Sequence, residues 1–477
     1  MPQSKQPRRR RASGATAEPT RVALVHLGCA RNLIDSELIL ARLAEEGVMV
    51  TGDPDDADVV VVNTCSFIGP AREESDGAIR EQLRRKSAGR LDGVVVAGCL
   101  VQRYRRDLVR RYPDVDVFAE ISDYSQLAKH VAALGRGGRG PAYLEAPGLR
   151  GGEREDARML ATPGSYAYLR ISHGCDHQCS FCAIPGIRGA HRSKRPESVL
   201  AEARELIAIG VKELVLVAED STAWGRDIGA ELPDLVRALA DLDGDHRVRI
   251  MYAYPNRFPW GLVPLLRDHS RVVPYLDIPI QHIATNVLRA MRRNGSGDQV
   301  RRTLERLRDE VPGITLRTTV LMGFSGETDA DAAELAAFVE EFQLGRLGAF
   351  TYSPEEGTHG FGMPHDVPPQ VAEARRDAVL AARDRVLRAT QAALVGQRLE
   401  VLVDEVHPGR PADRRGPASA AYAVARTAMD APEVDLVVQL EGIGPAVAVG
   451  QRLLAEVHAI DDESNLVARE AAEAKTR

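Results

Sequence analysis

Short, continuous apolar runs alternate with amphipathic stretches over residues 21–135. VALVHLG (22–28), ADVVVVN (57–63) and GVVVAG (93–98) are β-branched and nearly uninterrupted by polar residues. Such runs predict strands of a parallel sheet buried on both faces. Between them, SELILARLAEEG (36–47) and DGAIREQLRRK (76–86) repeat apolar residues at helical spacing. The alternation predicts an open, doubly wound α/β domain. Over residues 162–394 a strand-then-helix unit recurs six times. Its strands are YAYLRIS, ELVLVAE, RVRIMY, PYLDIPI, TLRTTVLMG and RLGAFTY, with helical patterns such as ESVLAEARELIAIG, TNVLRAMRRN and ADAAELAAFVEEFQ between them. Six such units predict a partial (βα)6 barrel open on one side. Residues 395–470 change period to short strands with turn signals (GQRLEVLVDEV, AYAVART, EVDLVVQL, QRLLAEVHAI) and predict a small all-β barrel. The helix-rich stretch EARRDAVLAARDRVLRATQAALV joins the two barrels, and its regular charges read as a solvated face. Residues 136–161, rich in Gly and charge, read as a linker; 1–20 read as a disordered basic tail and 471–477 as a second tail.

Composition narrows the class. The 477 residues are 44% hydrophobic and 27% charged, as in ordinary globular proteins. No apolar run approaches the roughly 18 residues that span a bilayer. The RRRR block near the N-terminus lacks the apolar stretch of a secretory signal, so a cytoplasmic chain with no membrane partner is expected. The formal net charge is −6. From Arg398 to Arg469 there are seven Arg against twelve Asp and Glu, so that segment alone carries −5. An acidic end disfavours a phosphate backbone and suits a basic partner.

The six cysteines fall into two triplets. Cys29, Cys65 and Cys99 each follow one of the three N-terminal strands. Parallel strands bring their C-terminal ends to one edge of a sheet, so three thiols distant in sequence are expected to meet at one pole. Three separate core cysteines are the competing reading. Cys175, Cys179 and Cys182 are spaced Cys-x3-Cys-x2-Cys in SHGCDHQCSFCAIPG, after the first barrel strand and therefore on the face where such barrels build their sites. Three thiolates can hold three corners of a cubane iron–sulfur cluster and leave the fourth iron open for a reactant. Zinc is the alternative, but no fourth Cys follows at finger spacing. His173 and His177 interleave with the triplet; His177 reads more simply as a solvent-facing loop residue.

The Cys-x3-Cys-x2-Cys loop, with Phe181 before its last cysteine, resembles the radical SAM superfamily. LGCARNLIDSE, VNTCSFI and AGCL, together with a C-terminal region similar to a TRAM domain, resemble the methylthiotransferases within it over roughly residues 21–470. The resemblance implies two 4Fe–4S clusters, held by Cys29, Cys65 and Cys99 and by Cys175, Cys179 and Cys182. It also implies two molecules of S-adenosylmethionine, one a source of methyl for a cluster-bound sulfur and the other of a 5′-deoxyadenosyl radical. GCDHQCSFCAIPGIRGAHRSK, the acidic Asp35 and PEVDLVV resemble the RimO branch, which modifies an aspartate β-carbon of the twelfth small-subunit ribosomal protein. Ala30, Glu219 and Ser325 depart from that branch's usual Pro, Gln and Pro, respectively.

The implied partners are that ribosomal protein, free or in the ribosome, and an electron donor such as flavodoxin or ferredoxin. For the cofactor, Arg188, Arg192 and Arg195 follow the Cys loop, and an arginine fork suits a carboxylate; surface arginine is the competing reading. Gly323, Gly326 and Glu327 end the fifth barrel strand, and Gln281 and His282 follow the fourth, all candidate cofactor contacts. Asn63 and Gly28 read equally as loop-shaping or ordinary turn residues. Two other functions compete: methylthiolation of isopentenyl-adenosine in tRNA, which the acidic C-terminal count opposes, and a non-catalytic iron–sulfur or RNA-binding scaffold, which the vacant ligand position opposes.

Overall fold

The computed structural model describes residues 19–122, 124–138, 143–146, 157–409 and 420–471. The basic N-terminal block, part of the linker and the last six residues lie outside these. The N-terminal sheet contains β1 (Arg21–His26), β2 (Met49–Val50), β3 (Val59–Thr64), β4 (Gly93–Gly98), β5 (Val117–Ala119) and β6 (Tyr143–Leu144). Its order is β2-β1-β3-β4-β5-β6, all parallel. Every residue of β3 and β4 is buried, as unbroken valine runs require when helices cover both faces. The helices are α1 (Ala30–Glu45), α2 (Gly69–Ser87), α3 (Cys99–Tyr104), α4 (Asp107–Arg111) and α5 (Ser125–Leu134). Both α1 and α2 start earlier than the sequence pattern suggests: α1 begins directly after Cys29.

The second sheet is built from β7 (Tyr166–Arg170), β10 (Glu213–Val217), β11 (Arg247–Ile250), β12 (Val272–Asp277), β13 (Thr315–Met322) and β14 (Leu347–Thr351), after the short pair β8 (Ser172–His173) and β9 (Arg192–Ser193). The six strands lie side by side in chain order and parallel, with β7 and β14 as free edges. This is the expected partial barrel. Around it lie α6 (Ile184–Arg188), α7 (Pro196–Ala208), α8 (Leu232–Ala240), α9 (Leu262–Asp268), α10 (Thr285–Ala290), α11 (Gly297–Glu310), α12 (Asp329–Glu341) and α13 (Pro369–Ala392). The long α13 is more than a solvated connector. Val379 and Ala382 are fully buried against the barrel helices, Arg375 pairs with Glu327 at 3.0 Å, and Arg385 pairs with Glu340.

The C-terminal barrel closes in the order β15-β16-β17-β19-β18, from β15 (Arg398–His407), β16 (Tyr422–Thr427), β17 (Val438–Glu441), β18 (Arg452–Ile460) and β19 (Leu466–Glu470). Sequence reading missed the five-residue β19. It also extended β17 too far back: 433–437 precede the strand and carry Glu433 and Asp435 into the second sheet. There Tyr168 donates to Glu433 at 2.9 Å and Tyr275 to Asp435 at 2.6 Å. Arg317 lies 3.3 Å from Asp435.

One apolar cluster runs through all three modules. It joins Ile34 and Leu38 of α1, the inward-facing Tyr166, Tyr168, Val215, Val217 and Tyr275 of the partial barrel, and Ala431 of the C-terminal module. The N-terminal module therefore covers the side of the barrel that has no seventh and eighth strand.

Candidate functional site

Strands β1, β3 and β4 are neighbours, so Cys29, Cys65 and Cys99 emerge along one edge of the sheet, as the strand-end argument requires. Local backbone makes room for them. Gly28 has φ +104, and a Cβ there would sit 2.9 Å from the Cys65 Cβ and 3.0 Å from its Sγ, so no larger residue fits. The Asn63 amide donates to the Asn32 carbonyl at 2.9 Å and to the Ser36 hydroxyl at 2.8 Å, tying the end of β3 to α1. Asn63 is thus a shaping residue rather than an ordinary turn residue.

The second triplet lies against the first. Cys99 packs with Ala183 and Ile187, one and five residues after Cys182. Arg188 donates to the Cys99 Sγ at 3.3 Å and to Asp35 at 2.9 Å. Arg170 of β7 donates to the other Asp35 oxygen at 2.9 Å. Asp35, Arg170 and Arg188 are all buried, so each charge has its partner in place of water. Of the arginines considered for a carboxylate fork, Arg188 is accordingly an interdomain anchor. Arg192, on β9, and Arg195, at the start of α7, are exposed and outside the cavity described next.

Cys175, Cys179 and Cys182 line a cavity of about 210 Å³ between the barrel and the N-terminal module. Arg31, Phe67, Phe181, Glu219, Tyr252 and Gln281 complete much of its wall. Gln281 is the one predicted cofactor contact that reaches it. Gly323, Glu327 and His282 support the loop behind, and the Gly326 amide donates to Asp366 at 3.1 Å. Glu327 accepts from the Gly323 amide at 2.8 Å and from Arg375 at 3.0 Å. His282 is buried, 3.7 Å from Glu327. A Cβ on Gly323 would meet the Ala372 Cβ at 2.4 Å, so this glycine lets α13 approach. His177 is not a free loop residue: it bonds Asp220 at 2.7 Å and stacks on Tyr254 with centroids 3.9 Å apart.

Charge and strain mark the cavity. Tyr252 has φ 60 and Gln281 φ 69, left-handed conformations that non-glycine residues adopt at a cost of about 1–3 kcal/mol and that concentrate at functional sites. Burial pushes the Cys175 and Cys182 thiols up to about 12 and Cys99 up to about 11. Burial opposes ionisation of Cys29 as well, but Arg31 and Arg188 outweigh it and hold that thiol below its ordinary range. Among the described residues, no three His, Cys, Asp or Glu side chains gather around a single-ion point; the second triplet instead lines a space. Both Glu219 carboxylate oxygens are buried there with no hydrogen-bond donor, while the Arg31 and Arg188 guanidiniums pair with one of them at 3.8 and 3.9 Å. Soft thiols on one wall and a carboxylate with open hydrogen-bonding capacity on another fit a sulfur-ligated metal centre with a hydrogen-bond-donating ligand beside it.

Comparison with known proteins agrees with this geometry. Residues 21–120 match Uncharacterized protein family UPF0004, 169–339 the radical SAM superfamily and 395–470 the TRAM domain. Proteins named ribosomal protein uS12 methylthiotransferase RimO align along most of the chain. The one from Trichlorobacter lovleyi is 41% identical, covering 87% of this chain and 91% of its own. The one from Porphyromonas gingivalis is 40% identical, covering 92% and 96%. The chain belongs to the RimO family. Its members are radical SAM methylthiotransferases, transferases of sulfur-containing groups. Among solved structures, the radical S-adenosylmethionine methyltransferase TsrM from Kitasatospora setae matches with TM-score 0.52 over 84% of this chain and 80% of its own, at 16% identity. That likeness concerns the fold alone. Membership in the RimO family, like the radical SAM match, implies a 4Fe–4S cluster and S-adenosylmethionine, and the cavity's donor set suits both. No helix among the described residues is long and apolar enough to cross a membrane.

Sequence reading did not select Arg31, Tyr252, Tyr254 or Arg293 for this site. Arg31 donates to the Ala218 carbonyl at 2.8 Å and lies over the Tyr252 ring at 4.9 Å. Arg293 lies over the Tyr254 ring at 4.1 Å, and its Nη1 is 3.9 Å from the Cys179 Sγ. Arg31 sits two residues after Cys29, which was the available signal. Tyr252 and Arg293 reach the site only through the strand order.

Proposed function

We propose that this chain transfers a methylthio group to the β-carbon of an aspartate in ribosomal protein uS12, in the cytoplasm. Two 4Fe–4S clusters are assigned: one to Cys175, Cys179 and Cys182, the other to Cys29, Cys65 and Cys99. Bound there with S-adenosylmethionine, they supply the radical that activates the carbon and the sulfur and methyl that it receives. The chain's own residues bind and orient. Glu219 and Gln281 face the cavity and take the cofactor's polar groups, whereas Glu327, Gly323 and His282 brace the loop beyond. Arg192 and Arg195 are left to the surface. The α1 anchor on Arg170 and Arg188 holds the two triplets at one distance and keeps water from the wall between them.

The observation that carries this reading is that the second triplet lines the cavity while Cys99 of the first packs on the helix that follows Cys182 and accepts from Arg188. The −5 charge of the C-terminal segment supports a basic protein as acceptor over tRNA. A flavodoxin or ferredoxin is the proposed source of electrons. Intact-mass analysis of small-subunit ribosomal proteins, with and without the gene, tests the reading. A methylthio group in place of hydrogen adds about 46 Da, from atomic masses. Loss of that increment from uS12 on deletion is expected. An unchanged uS12 alongside a tRNA nucleoside lacking its methylthio group would transfer the activity to tRNA.

A further inference from the structure

Among the described residues, two guanidiniums line the cavity that the second triplet frames, those of Arg31 and Arg293. Arg293 is turned to the barrel: it donates to the Pro279 carbonyl, lies over the Tyr254 ring at 4.1 Å and comes within 3.9 Å of the Cys179 Sγ. Arg31 belongs to the first turn of α1, two residues after Cys29, and so stands on the side of the first triplet. It favours the Cys29 thiolate while it lines the cavity of the other three cysteines. Its Nη1 donates to the Ala218 carbonyl at 2.8 Å, and its guanidinium lies over the Tyr252 ring at 4.9 Å. Its Nε is buried with no hydrogen-bond acceptor; the Glu219 carboxylate is 3.8 Å away, beyond hydrogen-bond reach. The side chain is thus fixed in place with part of its fork unused.

In the proposed reaction the acceptor's β-carbon lies between the triplets, because the second supplies the radical and the first the sulfur. The γ-carboxylate of an aspartate is one bond from that carbon and enters the same space. Much of the wall there is apolar, from Phe67, Phe181, Ile184 and Pro279. A carboxylate taken out of water into such a space is costly unless a cation meets it. Glu219 adds a second negative charge to the wall and raises that cost. Arg31 is the cation on the side from which the sulfur comes, and a planar guanidinium matches the two oxygens of a carboxylate.

We propose that Arg31 selects the acceptor: its guanidinium binds the γ-carboxylate of the target aspartate and so aims the β-carbon between the two triplets. The inference rests on the aspartate acceptor proposed above. Arg31 changes no bond itself; it fixes which carbon is presented. It also discriminates aspartate from its neutral isostere asparagine, whose amide sets N–H groups against those of the guanidinium. Glu219 gives the binding an order. Once the cofactor's donors take that carboxylate, Arg31 is released to the acceptor, so the cofactor binds first. Lysine in place of Arg31 keeps the charge and loses the fork.

The test uses the iron-loaded full chain, its Arg31→Gln and Arg31→Lys variants, and two acceptors: uS12 and uS12 with asparagine at the target position. Methylthiolation of each acceptor is read by mass as kcat/KM, and 5′-deoxyadenosine is counted alongside it. The parent should favour the aspartate form roughly thirtyfold or more. Arg31→Gln should lose nearly all of that preference, and Arg31→Lys should keep part of it. In Arg31→Gln, 5′-deoxyadenosine formed per methylthio group should rise, because the radical is still made while the carbon is badly presented. Iron content should equal the parent's. A parent that treats both acceptors alike overturns the proposal without recourse to a variant. So does a preference that survives in Arg31→Gln. A raised KM for S-adenosylmethionine with the preference intact overturns it too and gives Arg31 to the cofactor's own carboxylate. Iron lost from both variants overturns it in favour of a role at the first cluster alone. A parent that methylthiolates neither form of uS12 would sink the aspartate reading itself, whereas the other outcomes leave that reading standing.

Discussion

His282 carries a titratable ring with no exposure to solvent. Burial holds its imidazole down to about 4, against an ordinary 6.5. The folded chain keeps the ring neutral, while the unfolded chain takes up a proton near pH 6.5. Stability from this group is complete above that pH and is lost as pH falls from 6.5 towards 4, by about 3 kcal/mol at the lower end. The urea midpoint of the protein should therefore decline over this range, and His282→Gln should flatten the decline. An unaltered slope in the variant would place the acid sensitivity elsewhere. His282 was visible in the sequence as the residue after a strand, but its neutrality was not. That depends on its burial and on the charge of Arg375, 93 positions away, which together outweigh the pull of Asp331. Tyr252 and Gln281 make the same point through the backbone: no residue type announces a left-handed turn when the residue is not glycine, asparagine or aspartate.

At the scale of elements, the valine runs of β3 and β4 were legible because burial on both faces leaves no polar alternation to misread. The barrel strands β7 and β10 were legible for the same reason, and with them the position of the Cys loop, whereas β13 was legible through its alternation of buried and half-buried positions. Weaker signals failed. β19 is five residues long with three of them at least partly exposed, and Glu433 and Asp435 were read as strand although they leave it to bond tyrosines of another sheet. The joint between α1 and β7 belongs to this scale as well. Asp35 accepts from Arg170 and Arg188 inside the fold, where a lone charge is costly. Asp35→Asn keeps the shape and removes the negative charge, and should cost about 3–5 kcal/mol in chemical denaturation. Because Arg188 also touches Cys99, the variant should retain less iron at equal fold content. A variant with unchanged stability and full iron would show that the anchor does neither.

At the scale of the whole molecule, the three sequence modules are mechanically one body. Glu213 of β10 meets Arg249 of β11 at 2.8 Å and Arg426 of β16 at 3.2 Å, and these guanidiniums outweigh its burial to bring its carboxyl down to about 2. Arg426 continues to Asp404 of β15, and Arg249 to the Ala428 carbonyl at 3.0 Å. Scanning calorimetry of the full chain should give one cooperative transition rather than separate ones for barrel and C-terminal module. Glu213→Ala leaves two buried guanidiniums without this partner and should split the transition, with the C-terminal module melting first. A parent protein that already melts in two steps would show the modules to be only loosely joined. The divisions legible in composition mark segments of sequence rather than units of stability, because the contacts that join them link residues hundreds of positions apart.

The parallel sheet ends in two free edges, and the N-terminal module grips beyond both. At β7 it does so through Asp35. Past β14 it does so through Arg72 and Arg103, which converge on the fully buried Glu355. The sheet is like a run of staves and the N-terminal module like the hoop across their gap. The width of the chamber is then set by the hoop, not by the staves. A descendant of this chain could admit a bulkier acceptor by reseating these two clamps, with every catalytic loop left as it is.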